Sequence, residues 1–404
     1  MSLTPTCDLF VVCGEASGDA YAAAIIDALH AKRPELTVAA MGGPALKAAG
    51  CEMEQDIDGL AVMGFFPVLA RLGEFSRLMR RMATVIRERR PRTVLTVDYP
   101  GFNLRLLRQL SGLRSTGTRF VHLVAPQVWA WKPRRAKSIS QTVDRLLCFF
   151  PFEPPLFNRF TAARADFVGH PLADLIPSGI DCKSVADDLD LRPEDRLVLL
   201  APGSREKEIG PLLPIFDRAV ELARPRLNTP GGRTVIAIAK APEHARELYR
   251  RFSDHPLIES RYRELCARAH VALIASGTAT LEAAILGLPH VIAYRTDVIS
   301  ARIARHVLLV DHIGLPNLVH GRRVCPEVLQ DELTAERLAA HLIRLWDGPA
   351  RDACVTTLRT TRTALGGGGA MARIADAVND EMIRGRRAPE AVPRPNRRRT
   401  PPPG

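Results

Sequence analysis

The stretch that decides the fold is Val271–Tyr294, VALIASGTATLEAAILGLPHVIAY. Its opening aliphatic run, Val271 to Ala275, has the length and composition of a strand buried on both faces of a parallel sheet. Ser276-Gly277-Thr278 then supplies a turn and a capping hydroxyl. A helix follows from Ala279 to Leu286, Gly287 stops it, and Pro289 prevents its resumption before a second strand starts. A helix that begins directly after a buried strand aims its free N–H groups and the positive end of its dipole at the carboxyl edge of the sheet, where phosphate binds well. Glu282 falls one turn into this helix. With Thr278 as N-cap the reciprocal capping position is Leu281, which leaves Glu282 as a solvated helix residue or as a ligand contact of the kind that grips ribose hydroxyls.

The same alternation repeats on either side. Leu9–Cys13, Val38–Met41, Val94–Val97, Phe120–Val124 and Leu146–Phe149 read as strands separated by helical segments, the first helix running from about Ala20 to Lys32. After a Pro/Asp-rich stretch, 171–195, a second series follows at Leu197–Leu200, Val235–Ala239, Val271–Ala275 and His290–Tyr294. The expectation is an α/β protein of two Rossmann-like, doubly wound domains facing across a cleft: residues 1–175, then 176–349. A helical segment, 350–384, is expected to return to the first domain, with a turn at Gly366–Gly369, because glycines weaken a helix by about 1 kcal/mol each.

The net charge of +12 is uneven: residues 385–404 hold six arginines against one glutamate. This proline-rich tail reads as disordered. Eight cysteines show no C-x-x-C pairing, which argues against a disulfide framework or zinc site and for a reducing compartment. No run approaches the roughly 18 apolar residues of a membrane span.

Four loops fall at expected strand ends, where open α/β sheets place their ligands. GEASGD at 14–19 departs from G-x-G-x-x-G, since Glu15 stands where a pyrophosphate needs bare backbone. A nicotinamide cofactor is thereby disfavoured, and the loop is either a turn capped by Ser17 or Asp19 or part of a cleft. VDYPGFN at 97–103 places Asp98 before a Pro-Gly turn, as a proton acceptor or as a turn former. In APGSREKEI at 201–209, Gly203 allows close backbone approach, Ser204 caps and Arg205 brings a planar donor fork suited to phosphate. APQVWAW at 125–131 offers Gln127 and Trp129 to the cleft. Asp56-Ile57-Asp58 has the D-x-D spacing of some metal-dependent sugar-nucleotide enzymes but lies in the half without phosphate loops, and reads as loop.

GEASGD, VMGF at 62–65, DYPGFN, PQVWAW, FVGHPLAD at 167–174, PGSREKEI, SGTATLEAAILGLP and LPNLVHGRRVCPEVLQDELT at 315–334 occur in this order and together resemble the lipid-A-disaccharide synthases. The SGTxxxEAxxxGxP pattern alone is shared by many two-domain glycosyltransferases and sugar-nucleotide epimerases. The resemblance implies a GT-B glycosyltransferase that joins UDP-2,3-diacylglucosamine to 2,3-diacylglucosamine 1-phosphate (lipid X) through a β-1,6 linkage and releases UDP. It implies no metal or other cofactor, and work at the cytoplasmic face of the inner membrane as a peripheral protein. A homodimer is compatible with it, and no nucleic-acid partner is expected. Asp98 then matches the base for the acceptor 6-hydroxyl, while Arg205, Gly277, Thr278 and Glu282, with Asn317 in LPN, match the UDP site.

An acylated acceptor calls for an apolar entrance. Leu69, Leu72, Phe75, Leu78, Met79, Met82 and Ile86 recur near helical spacing among arginines, beside Phe65 and Phe66. The stripe reads as an interfacial amphipathic helix in contact with membrane, the alternative being an ordinary core-facing helix with the same spacing. The rival readings are a UDP-N-acetylglucosamine 2-epimerase, another UDP-sugar enzyme of the same fold, or a noncatalytic nucleotide-sugar or RNA-binding protein.

Overall fold

The computed structural model describes residues 7–57, 72–128, 134–160, 163–295 and 311–385. The N-terminal lobe is built on β1 (Leu9–Cys13), β2 (Val38–Gly42), β3 (Glu52–Asp56), β4 (Thr93–Val97), β5 (Arg119–Leu123), β6 (Arg145–Cys148) and β7 (Arg164–Phe167), in the order β3-β2-β1-β4-β5-β6-β7. The C-terminal lobe uses β8 (Arg196–Ala201), β9 (Thr234–Lys240), β10 (Leu257–Glu259), β11 (Val271–Ala275), β12 (His290–Tyr294) and β13 (Glu327–Leu329), in the order β10-β9-β8-β11-β12-β13. Every pairing between these strands is parallel. In each sheet the strand order reverses beside the first strand, between β1 and β4 and between β8 and β11. A crevice opens at such a reversal because successive helices leave to opposite faces.

The helices that position the site are α1 (Ala16–Lys32), α2 (Pro44–Ala48), α3 (Leu72–Arg89), α4 (Pro100–Gln109), α5 (Glu206–Ala223), α6 (Tyr262–Arg268), α7 (Thr278–Ile285), α8 (Leu315–His320), α9 (Pro349–Leu358) and α10 (Ala370–Gly385). Two expectations change here. Pro100-Gly101 is not a turn but the first turn of α4, where proline costs no hydrogen bond. Asp56 closes edge strand β3 rather than lying in a loop.

The stripe on α3 turns inward. Met79, Met82 and Ile86 are 6 %, 0 % and 0 % exposed, in the same apolar cluster as Phe10 and Phe102, with Phe75 and Leu78 packed against it. Met79 is therefore core, not an acyl or membrane contact. Leu72 opens the helix, whereas Phe65, Phe66, Leu69 and Trp129 lie outside the described residues. No described helix is long and apolar enough to cross a membrane.

Only part of the 350–384 segment goes back to the first lobe. Cys354 and Leu358 of α9 belong to the C-terminal core, whereas Ile374, Ala375, Val378 and Met382 of α10 complete the N-terminal one against α1 and β5. Between the two helices, Gly366 to Gly369 all have positive φ, a run that residues with a Cβ rarely adopt. Arg373 ties this turn to the other crossing between lobes, donating to the carbonyls of Gly366, Gly368 and Val168. Buried Glu381 anchors the end of α10 through Arg119 at 2.9 Å.

Buried histidines make the fold acid-sensitive. His122, which meets Thr96 Oγ1 across β4 and β5 at 2.7 Å, and His170 and His290 are all pushed down to about 4 by burial, which disfavours the imidazolium. The unfolded chain, with histidines near 6.5, binds more protons over the interval between the two values. Stability is therefore expected to fall as pH drops from about 6.5 towards 4, and the urea midpoint to be lower at about pH 5 than at about pH 7. Equal midpoints would contradict neutral burial of these rings.

Candidate active site

The cleft edge of the N-terminal lobe is made by the loops after β1 and β4. Glu15 is the N-cap of α1 in extended conformation and gives no side-chain cap; Ser17 is exposed in its first turn. Asp19, expected to cap its own helix, instead caps α2. Its carboxylate accepts from the N–H groups of Gly43 at 2.7 Å and Ala45 at 2.9 Å, in a space that a Cβ at Gly42 or Gly43 would fill. The acid of GEASGD that remains for a ligand is Glu15. A Cβ on Gly14 would lie 2.4 Å from the Tyr99 ring, so glycine there lets the β1 and β4 loops touch.

Backbone strain marks the same edge. Asp98 and Tyr99 both have φ of +46° and Val124, at the end of neighbouring β5, has φ of +73°. Each such residue costs about 1–3 kcal/mol, and a β-branched one is an outlier, so packing must hold them. The loop beginning at Val124 carries Gln127, which is exposed. Burial pushes the Asp98 carboxyl up, opposed by the Tyr99 N–H. Burial also raises Glu15, and the Asp98 charge raises it further while Arg205 of the other lobe draws it down. Glu15 thus stands within electrostatic reach of both Asp98 and Arg205. Tyr21 on α1 feels Glu282, Arg263 and Asp98 in the same way, after burial as the leading cause.

The facing side is a cavity of about 1040 Å³ at the carboxyl ends of β8, β9 and β11. Its volume is that of a small-molecule site. The N-termini of α5 and α7 open onto it, and Gly203, Arg205, Gly277, Thr278 and Glu282 line it. The capping assignments differ from expectation. Gly277, not Thr278, is the N-cap of α7, and the Thr280 hydroxyl donates back to the Gly277 carbonyl at 2.7 Å. Arg205, not Ser204, is the N-cap of α5. Gly277 has no side chain to cap with, and the Arg205 side chain makes no capping hydrogen bond to the α5 backbone. The Arg205 guanidinium is 69 % exposed and held at 2.9 Å by Glu208. A Cβ on Gly203 would meet that same Glu208 carboxylate at 2.4 Å.

Sequence reasoning missed Arg263, Lys240 and Ser260. Arg263 on α6 donates to Glu282 at 2.7 Å and to the Leu175 carbonyl at 3.3 Å, so Glu282 is neither a capping residue nor solvated alone. Lys240 is almost fully buried in the cavity wall, 3.3 Å from Glu259. Ser260 has φ of +59°, a strain that no sequence pattern advertises.

Asn317 requires a correction. It is 0 % exposed and does not line the cavity. Its amide donates to Cys325 O and Glu327 and its oxygen accepts from the N–H groups of Val324 and Cys325. All four of its bonding positions are used within the protein, which leaves none for a ligand. Asn317 clamps α8 to the loop leading into β13.

Comparison with known proteins adds the family. The Lipid-A-disaccharide synthetase family model matches residues 9–365. The chain belongs to the lipid-A-disaccharide synthase family. The synthase of Myxococcus xanthus is 37 % identical over 94 % of this chain and 98 % of its own length. That of Azotobacter vinelandii is 41 % identical over 83 % and 88 %. Among solved structures, the calicheamicin glycosyltransferase CalG4 superposes with TM-score 0.59 at 16 % identity, covering 95 % of this chain and 100 % of that one. A UDP-GlcNAc 2-epimerase from Neisseria meningitidis gives 0.58 at 15 %, covering 92 % and 99 %. These two likenesses establish the two-domain GT-B fold, which transferases and epimerases share. Membership of the synthase family makes the chain a glycosyltransferase of lipid A biosynthesis.

With UDP as probe, Glu282→Ala is expected to weaken binding at least about tenfold by calorimetry, or about 1.4 kcal/mol. Unchanged affinity would confine Glu282 to holding Arg263.

Proposed function

We propose that the chain is an inverting transferase that joins UDP-2,3-diacylglucosamine to 2,3-diacylglucosamine 1-phosphate through a β-1,6 linkage and releases UDP. The observation that carries this reading is the cavity at the N-termini of α5 and α7, lined by Arg205, Gly277, Thr278 and Glu282, with Glu15 of the N-terminal lobe feeling both Asp98 and Arg205. In-line displacement at the anomeric carbon needs one base, one clamp on the leaving group and correct positioning. Asp98 accepts the proton of the acceptor 6-hydroxyl as its oxygen attacks. Its raised proton affinity makes it a better base than an exposed aspartate. The bond to the diphosphate breaks, and the charge that develops is taken up by the N-termini of α5 and α7 and by Arg205, without a metal.

The acceptor enters from the N-terminal lobe. The half-buried rings of Phe75 and Tyr99 lie beside Asp98 over the buried ring of Phe102, with Phe75 and Phe102 centroids 5.1 Å apart, and the two half-buried rings offer an apolar neighbour for acyl chains. Arg77, Arg80, Arg81 and Arg87 are exposed on the outer face of α3, which suits an anionic membrane surface. The protein then works peripherally on the inner membrane.

Purified protein given both acylated substrates in detergent with EDTA is expected to form the disaccharide phosphate and UDP, read by mass spectrometry. Proven UDP binding without product would sink the assignment, and product only on adding a divalent ion would remove its metal-free form. Asp98→Asn is expected to fold and bind UDP but to lose turnover by about 10²–10⁴-fold. A near-normal rate would reassign Asp98 to a structural turn.

A further inference from the structure

The step at Asp98-Tyr99 runs against every local preference. Two consecutive residues with side chains occupy left-handed conformation, and the second precedes Pro100, which disfavours helical values in the residue before it. No side chain caps α4 at Tyr99. One residue gathers the three carbonyls that this conformation brings together. The side-chain amide of Asn103 donates to Val97 O at 3.2 Å and to Asp98 O at 2.7 Å, and its backbone N–H donates to Tyr99 O at 3.1 Å. Asn103 is 0 % exposed, and two carbonyl acceptors fix which end of its amide is the nitrogen. Its own oxygen is buried without a hydrogen-bond partner. An unmet acceptor is a cost of burial, and what Asn103 contributes in return is the two hydrogen bonds of its NH₂ group.

We propose that Asn103 is a positioning residue for Asp98: its two donated hydrogen bonds hold the left-handed step that aims the Asp98 carboxylate at the acceptor hydroxyl. The inference rests on the reading of Asp98 as base. Without those bonds the step is free to relax towards the extended backbone that Pro100 favours, and the carboxylate swings off line. The Asp98 N–H, bonded to Leu123 O at 2.9 Å, pins only one end of the turn. A displacement of about 1 Å at a reacting group costs on the order of 10²-fold in rate. The donor cavity, on the other lobe, is untouched.

The test is a mutant cycle on the full-length protein. Asn103→Ala is expected to bind UDP within about twofold of the parent and to lose kcat by about 10²-fold, with KM for both substrates changed less than about threefold. In the Asp98→Asn background the same change is expected to cost less than about threefold more, because its effect passes through the carboxylate already removed. Where the alanine variant does not fold, Asn103→Ser, which keeps one hydroxyl donor, supplies the cycle with an expected loss of about tenfold in kcat. A kcat within about threefold of the parent, a loss shared by UDP affinity, or full additivity with Asp98→Asn would each overturn the proposal. Near-normal turnover of Asp98→Asn alone would instead remove the base reading itself.

Discussion

Leu281 and Ile285 belong to α7, yet both are buried in the apolar cluster of the N-terminal lobe, together with Leu172 and Ile176. The remaining geometry depends on this sharing. The N-terminus of α7 faces the cavity and its flank is fixed to the opposite core, so one rigid element sets the spacing between the two lobes there. Arg263 reinforces it by holding Glu282 with one side of its guanidinium and the Leu175 carbonyl with the other. Side-chain packing, which is dense and resists small displacements, thus does what a flexible loop could not.

Charge is arranged on this frame with some economy. After burial, the Asp98 charge on the same lobe disfavours ionisation of Glu15, and Arg205 on the other lobe draws it back down. Arg205 is itself exposed and, among the described residues, held by Glu208. An exposed guanidinium on a flexible stem can reorient towards an anion more freely than a half-buried carboxylate such as Asp98.

Much of this was legible in the residues, and the failures have physical causes. Each central strand read from an aliphatic run was found. The four strands missed, β3, β7, β10 and β13, are the four sheet edges. Their sequences EMEQD, RADF, LIE and EVL carry charge because an edge faces water on one side and must resist pairing with other chains. Arg205 and Glu282 line the cavity and Asp98 follows the end of β4, positions that could be read ahead because strand ends follow from topology. Arg263 and Lys240 could not, since their roles arise from contacts across the fold. Asn317 misled for the opposite reason: a polar residue in a loop motif looks like a ligand contact until its four bonds are traced. The stripe on α3 was correctly seen as apolar, but periodicity does not say whether core or lipid receives it.

The return of α10 has a consequence for how the protein is made. Ile374, Ala375, Val378 and Met382 fill the core of a lobe whose first strand begins at Leu9, so residues 9–382 must all leave the ribosome before that core can close. Until then α1 presents an open apolar face to the cell, while the C-terminal lobe, whose strands and helices lie between Lys183 and Leu358, emerges before α10. The order of completion is inverted: the segments of the second lobe are all present before the first lobe receives α10.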